Sequence, residues 1–502
     1  MSLKATIAII LMLLYLALMR FSFVAAIHKR GRKIFIAGLY ILGFLYIAGQ
    51  GIFYATDLPD SSPDEVAHIS YIYYVDTTNE LIPHFEDMHL FNTAPINGLG
   101  EGIDDYYIYN YGMINYLCHP SLYYQIMRAA GGFNDIEQYV VEVDKMRLRY
   151  FSFGISLLGV AMLLYIGWSR INKSKPWLHL IYITSATCIP IMCLEMCAVT
   201  NDSLALLTTS LCALGLIRFC EEKRNFATYL MISGGITFSF LNKMTAAMLC
   251  VVMSLIVLVV TIIKEKSFAK SLKKEFWFTT PLFILPIIYI IVIYQRYGVL
   301  QPTLKVIAPQ GYFEHSFFFV PEEDRPPATL LGYILVYFNN FFLSWAGLVT
   351  QDLALRKTSP FAISTLPMEL LWIAPAFAFT KKFKKAAGAL TLPIIAGWFS
   401  ILITFLLQLK KAYGNFINNG YTGGSQARYY VPLIFCLALA VVFVFESLIK
   451  DNGFDPQTET TTVSSIKDFG IRTILNQSTY LVGLIYSLLL FYGNLPFFLL
   501  HN

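Results

Sequence analysis

Apolar positions in this chain fall in long unbroken runs, without the alternation of a half-buried strand or the single stripe of a surface helix. The first two runs are Ala5 to Ile27 and Ile34 to Tyr54, and others recur from Tyr150 onward, parted by short polar stretches. Crossing a hydrocarbon core takes roughly 20 apolar residues, and only helices or closed barrels satisfy every backbone group there. Runs of this kind predict an all-α polytopic membrane protein with about twelve transmembrane helices. The run from Ala5 to Ile27 has no Ala-x-Ala cleavage site, exceeds a signal-peptide core and contains Arg20, so it reads as a retained span.

One polar interval is much longer than the rest. The segment from Ala55 to Tyr150, between the second and third runs, is acidic and rich in aromatics. Basic clusters fix its side. His28 to Lys33, Arg170 to Lys175, Glu221 to Arg224, Lys264 to Lys274 and Lys381 to Lys385 are separated by pairs of apolar runs, and the positive-inside rule places all of them in the cytoplasm. The long loop then faces outward, together with 295–360 and 410–427, in a cell membrane crossed many times. Leu330 to Val349 would invert this parity if it crossed, and it carries Asn339, Asn340 and Trp345, so an interfacial or re-entrant helix is expected. The expected organisation is an extra N-terminal span with its basic turn (1–33), a transmembrane core (34–449) holding the outer loop 55–150, a cytoplasmic linker (450–475) and a C-terminal span (476–502).

Composition agrees with this reading: 56% of the 502 residues are apolar and the mean hydropathy is +0.58, too high for a soluble protein of this length. The net charge of +5 resides in the topology clusters and not along one basic face, so no nucleic-acid partner is implied. Walker-type and dinucleotide-type glycine loops, a serine nucleophile elbow and a helical His-Glu-x-x-His are all missing from the sequence, so soluble-nucleotide chemistry is not supported.

The sharpest local signal is Ser61-Ser62-Pro63-Asp64-Glu65-Val66-Ala67-His68, just outside the second run. A capping box accounts for Ser62 and Glu65, with Pro63 at the first helical position. It makes no demand on Asp64. A helix N-terminus favours an ionised Asp64, and His68 follows at i,i+4, so Asp64 is a candidate general base with Glu65 and His68 as candidate participants. Farther along, Asp104 and Asp105 precede a tyrosine run, and His119 and Tyr123 follow it. Carboxylates beside aromatics suit sugar binding, although interfacial anchoring explains many tyrosines singly. Arg147, Arg149 and Arg296 read as snorkelling residues; Lys243, in a very short turn between two spans, does not. Arg428 ends a glycine turn and could hold a phosphate, with Tyr429 beside it. The pairs Asp64-Glu65 and Asp104-Asp105 could bind a divalent cation, but neither is a specific ligand set, and no cofactor is assigned.

Four stretches carry a resemblance in order and sidedness: Pro63 to His68, His119-Pro120-Ser121-Leu122-Tyr123-Tyr124, Phe342-Leu343-Ser344-Trp345-Ala346-Gly347, and Ser425-Gln426-Ala427-Arg428-Tyr429-Tyr430-Val431-Pro432. Together they resemble the GT-C superfamily of membrane glycosyltransferases, and more closely a bacterial membrane family of unknown function related to it. Ala427 stands where a glycine is usual, and Ser121 where a second proline is usual. The resemblance implies inverting transfer of a sugar from a polyprenyl-phosphate donor to a cell-envelope glycan or lipid-linked acceptor on the outer face. Asp64 would be the base, Arg428 and Lys243 would hold the lipid phosphate, and Trp345 would lie near the substrate. A flippase or transporter of a lipid-linked glycan, or a non-catalytic envelope-assembly protein, are the competing readings; a folded outer loop opening on an acidic helix start disfavours the flippase.

Overall fold

Leu3–Ile27 (α1) and Lys29–Asp57 (α2) realise the first two apolar runs as helices, and the outer segment begins where α2 stops. The computed structural model describes residues 3–27, 29–57, 64–92, 106–137, 139–310, 319–325, 329–345, 362–421, 423–448 and 479–492. Ser62, Pro63, Asp104, Asp105 and the 450–475 linker lie outside these residues.

The segment between α2 and Tyr150, expected to face outward, is not helical throughout. Helix α3 (Glu65–Thr78) leads into strands β1 (His89–Asn92) and β2 (Tyr106–Ile114), a short helix α4 (Leu122–Met127), and strands β3 (Phe133–Glu137) and β4 (Val140–Val143). The four strands form an antiparallel sheet in the order β1-β2-β4-β3. This corrects the all-α expectation. The tyrosine run after Asp105 is strand β2, and β-branched and aromatic side chains favour a pleated, half-buried surface whatever else they bind. Tyr107 and its cross-strand partner Val141 face inward and are buried. α3 lies on the sheet: Ser70 Oγ accepts the Phe91 N–H at 2.9 Å, and the Tyr73 ring meets Phe91, Tyr109 and Phe133.

The membrane part is a bundle. Among the described residues, seven helices are long and apolar enough to cross a membrane. The bent pair α6 (Pro176–Thr187) and α7 (Pro190–Cys197), meeting at 57°, would make an eighth. The figure of about twelve is reached only if the shorter apolar helices Ile9–Ser22, Leu330–Trp345, Pro367–Phe379 and Thr479–Tyr492 also cross. Leu330–Trp345, with 16 residues, spans about 24 Å, short of a hydrocarbon core.

Between helices in lipid, association depends on close packing, which small residues permit. Helices α5 (Lys145–Arg170), α8 (Asp202–Cys220) and α9 (Phe226–Asn242) show this. A Cβ on Gly159 of α5 would lie 2.9 Å from Leu206 on α8, and one on Gly235 of α9 would lie 2.6 Å from Cys212. The outer unit shares a core with the top of this bundle: Tyr71, Tyr123 and Tyr124 pack in one cluster with Leu148, Val199, Leu204 and Ile293. A second and larger cluster fills the bundle itself. Asp64, Glu195, Asp202, Lys243 and Arg428 sit together at the seam between the two.

Candidate active site

Two helix starts, side by side, place the first charges. α9 ends at Asn242 and α10 (Met244–Glu265) begins two residues later, leaving Lys243 alone between them in an extended conformation. Beside it, α8 begins at Asp202. The Asn201 side-chain amide donates to the Asn242 carbonyl at 3.2 Å, and the Asn242 amide donates to the Asn201 carbonyl at 2.9 Å. The two helix ends are thus stapled, and Lys243 Nζ meets Asp202 Oδ1 at 2.6 Å, with both residues buried.

Arg428 enters from the far end of the chain, on a 3₁₀ turn (Ala427–Leu433) that leads into helix Ile434–Leu448. The helix Leu330–Trp345 holds this turn, because the Ala427 N–H donates to Ser344 Oγ at 2.7 Å and the Tyr337 hydroxyl donates to the Gly424 carbonyl at 3.0 Å. The guanidinium lies among three carboxylates. Nη2 is 2.6 Å from Asp64 Oδ2, Nη1 is 3.2 Å from Glu195 Oε2 on α7, and Nε is 4.0 Å from Asp202 Oδ2. Tyr429 presents its ring to both cations, with Lys243 Nζ 5.1 Å and the Arg428 guanidinium carbon 5.7 Å from its centroid.

Asp64 stands immediately before α3 with φ 65°, in the left-handed region that Asp and Asn tolerate better than other side-chain-bearing residues. Its carbonyl accepts the His68 N–H at 3.0 Å, so the backbone is tied into the first turn. Both carboxylate oxygens are engaged: Tyr116 donates its hydroxyl to Oδ1 at 2.7 Å, and Arg428 holds Oδ2. Burial alone would raise this carboxyl. The charge of Arg428 and the hydrogen bonds from Tyr116 and Arg428 outweigh it and hold Asp64 at about 2, so it is ionised at neutral pH.

The neighbouring residues separate into different roles. Glu65 was expected at the third position of a capping box, but it is the first residue of α3, and its carboxylate forms a buried fork with Arg149 at 2.9 and 2.6 Å and accepts the Val199 N–H at 2.9 Å. It therefore points away from Asp64, and the pair does not offer two carboxylates to one cation. Arg149 does not snorkel: only 3% exposed, it also donates to the Ala55 carbonyl. His68 is buried and contacts Tyr124 and Thr200, not the Asp64 carboxylate, and burial, reinforced by His119, pushes it well below its usual range. The aligned Asp-His arrangement is therefore not formed.

His119 lies nearly parallel to His68 with centroids 6.3 Å apart, and its Nδ1 is buried with no partner among the described residues. Tyr123 and Trp345, expected at the substrate, are fully buried. Tyr123 donates its hydroxyl to Ser152, and Trp345 packs among Phe341 and Trp372; both are core residues. Arg296, expected to snorkel, donates to the Ile82 and Pro83 carbonyls of the outer unit. Glu195 and Tyr116 escaped the sequence reading. A lone carboxylate in the apolar stretch Pro190–Cys197 was the available signal for Glu195, since an ionisable residue at membrane depth is costly unless paired. Nothing local marks Tyr116 among so many tyrosines. Among the described residues no group of three His, Cys, Asp or Glu side chains is arranged to hold a metal ion.

The fold and this seam define a multi-pass, mostly helical membrane protein with a small sheet. No family model and no curated protein matches the sequence. In overall fold the chain is similar to two crystal structures of ArnT from Cupriavidus metallidurans, one in the apo state and one bound to undecaprenyl phosphate. The TM-scores are 0.46 and 0.45 at 12% identity, covering 92% of this chain and 77% and 76% of theirs.

Proposed function

We propose that this chain is a membrane glycosyltransferase that moves a sugar from a polyprenyl-phosphate donor to a cell-envelope glycan or lipid-linked acceptor on the outer face. The supporting observation is that Asp64, at the start of the outer unit, and Arg428, on the last part of the bundle, meet at 2.6 Å beside the Lys243–Asp202 pair. A carboxylate next to two cations suits displacement of a phosphate. The leaving group is stabilised by positive charge and needs no proton donor, so one base is enough. Asp64 takes the proton of the acceptor hydroxyl, and Arg428 with Lys243 holds the lipid phosphate. Attack by the acceptor on the face opposite the phosphate inverts the anomeric centre, because no second carboxylate acts as nucleophile.

The reading is tested by transfer from a panel of polyprenyl-phosphate sugars in proteoliposomes, comparing wild type with Asp64→Asn. Asparagine accepts the same left-handed backbone and keeps an acceptor for Tyr116, so the variant is expected to fold. Transfer is expected to fall by about 10²-fold or more. Undiminished transfer in a folded Asp64→Asn would remove the base.

A further inference from the structure

On the enclosed side of Arg428 the described residues leave no room for a phosphate. The enclosed cavity between Glu195, Asp202, Arg428 and the neighbouring side chains has a volume of about 20 Å³, room for one water at most. Its charges are also filled. Three carboxyl groups, of Asp64, Glu195 and Asp202, lie about two cations, Arg428 and Lys243, so an added phosphate finds both cations already paired. A phosphate that takes either Nη group of Arg428 has to replace a carboxylate there.

Accessibility selects which one. The Asp64 side chain is 25% exposed, against 10% for Glu195 and 8% for Asp202. Asp202 is further held by Lys243 at 2.6 Å, and Glu195 lies on the enclosed side of the guanidinium. Asp64 alone is reached from outside, and its other oxygen stays anchored to Tyr116 when Arg428 lets go.

We infer that Arg428 latches Asp64 and that Asp64 is released as a base only when the donor's phosphate takes its place on the guanidinium. This rests on the function proposed above and adds an order of events to it. The donor binds first. While Asp64 remains paired with Arg428 it is a poor proton acceptor. Once the phosphodiester has displaced it, Asp64 keeps its Tyr116 hydrogen bond and has lost its counter-ion. The acceptor O–H bond then breaks with its proton passing to Asp64, the acceptor oxygen forms a bond to the anomeric carbon, and the bond from that carbon to the phosphate breaks with its electron pair on the phosphate oxygen. The total charge is unchanged: the carboxylate loses one negative charge as the phosphate gains one.

The experiment uses the full chain in lipid and undecaprenyl phosphate as the probe. Binding is measured by native mass spectrometry, and the Asp64 carboxylate is titrated by infrared difference spectroscopy with and without the probe. The band is assigned by its loss in Asp64→Asn and, independently, by its displacement in Tyr116→Phe. The latch predicts that the Asp64 titration midpoint rises by about one pH unit or more when the probe binds. Binding with an unmoved midpoint overturns the latch and leaves the glycosyltransferase reading standing. Failure of the probe to bind at all overturns that reading, and the latch with it.

Discussion

Asn201 and Asn242 each donate a side-chain amide to the other's backbone carbonyl, and this reciprocal pair sets Asp202 and Lys243 face to face. Replacing either by alanine leaves one buried carbonyl without its donor. Each change is expected to destabilise the protein by about 1–3 kcal/mol. Because both bonds hold the same junction, the double variant should lose less than the sum. Thermal unfolding in detergent measures this, and fully additive losses would mean that the two bonds act separately.

The Glu65–Arg149 fork makes a second expectation. Glu65→Gln leaves the Arg149 guanidinium buried with its counter-charge removed, at an expected cost of about 3–5 kcal/mol. Combining it with Arg149→Met should recover part of that loss, since no unpaired charge then remains buried. A helix-capping role alone would predict about 1 kcal/mol and no rescue, and the melting temperatures of the two variants distinguish the outcomes.

Acid should destabilise the seam in two separate windows. Burial, with Lys243 next in size, lowers His119 from the usual 6.5 to about 4, so between those values the unfolded chain binds a proton that the folded chain refuses. Stability therefore falls as the pH drops from about 6.5 to about 4, and His68, lowered in the same direction, adds to the slope. Asp64 acts lower: its contribution is fully present above 3.8 and is lost as the pH falls toward about 2. Melting temperatures measured from pH 7 to pH 4.5 should fall in wild type and fall less in His119→Gln. An equal slope in the two would assign the acid sensitivity elsewhere.

The sequence disclosed the parts of this molecule that depend on composition. Long apolar runs marked the spans, and unpaired charges next to them, Asp64, Lys243 and Arg428, turned out to be neighbours. What it concealed depends on partners distant along the chain. Glu65 fits a capping box by spacing, yet its carboxylate belongs to Arg149, 84 positions away. Tyr123 and Trp345 resemble binding-site aromatics, but side-chain burial is decided by helix packing that no local pattern records. The sheet was missed for a related reason: a tyrosine-rich segment supports a strand, an interfacial belt or a sugar platform equally well until its neighbours are known.

The lone extended residue between α9 and α10 also restricts how this protein can change in length. Each residue of an α-helix turns the chain by about 100°, so one residue inserted next to Lys243 would swing the ammonium around the axis or rotate all of α10 against its neighbours. Helix α9 cannot absorb such a phase error, because it already presses against α8 at Gly235 with no space to spare. The Asn242–Lys243 junction is therefore a fixed phase mark, and insertions compatible with the fold have to fall elsewhere.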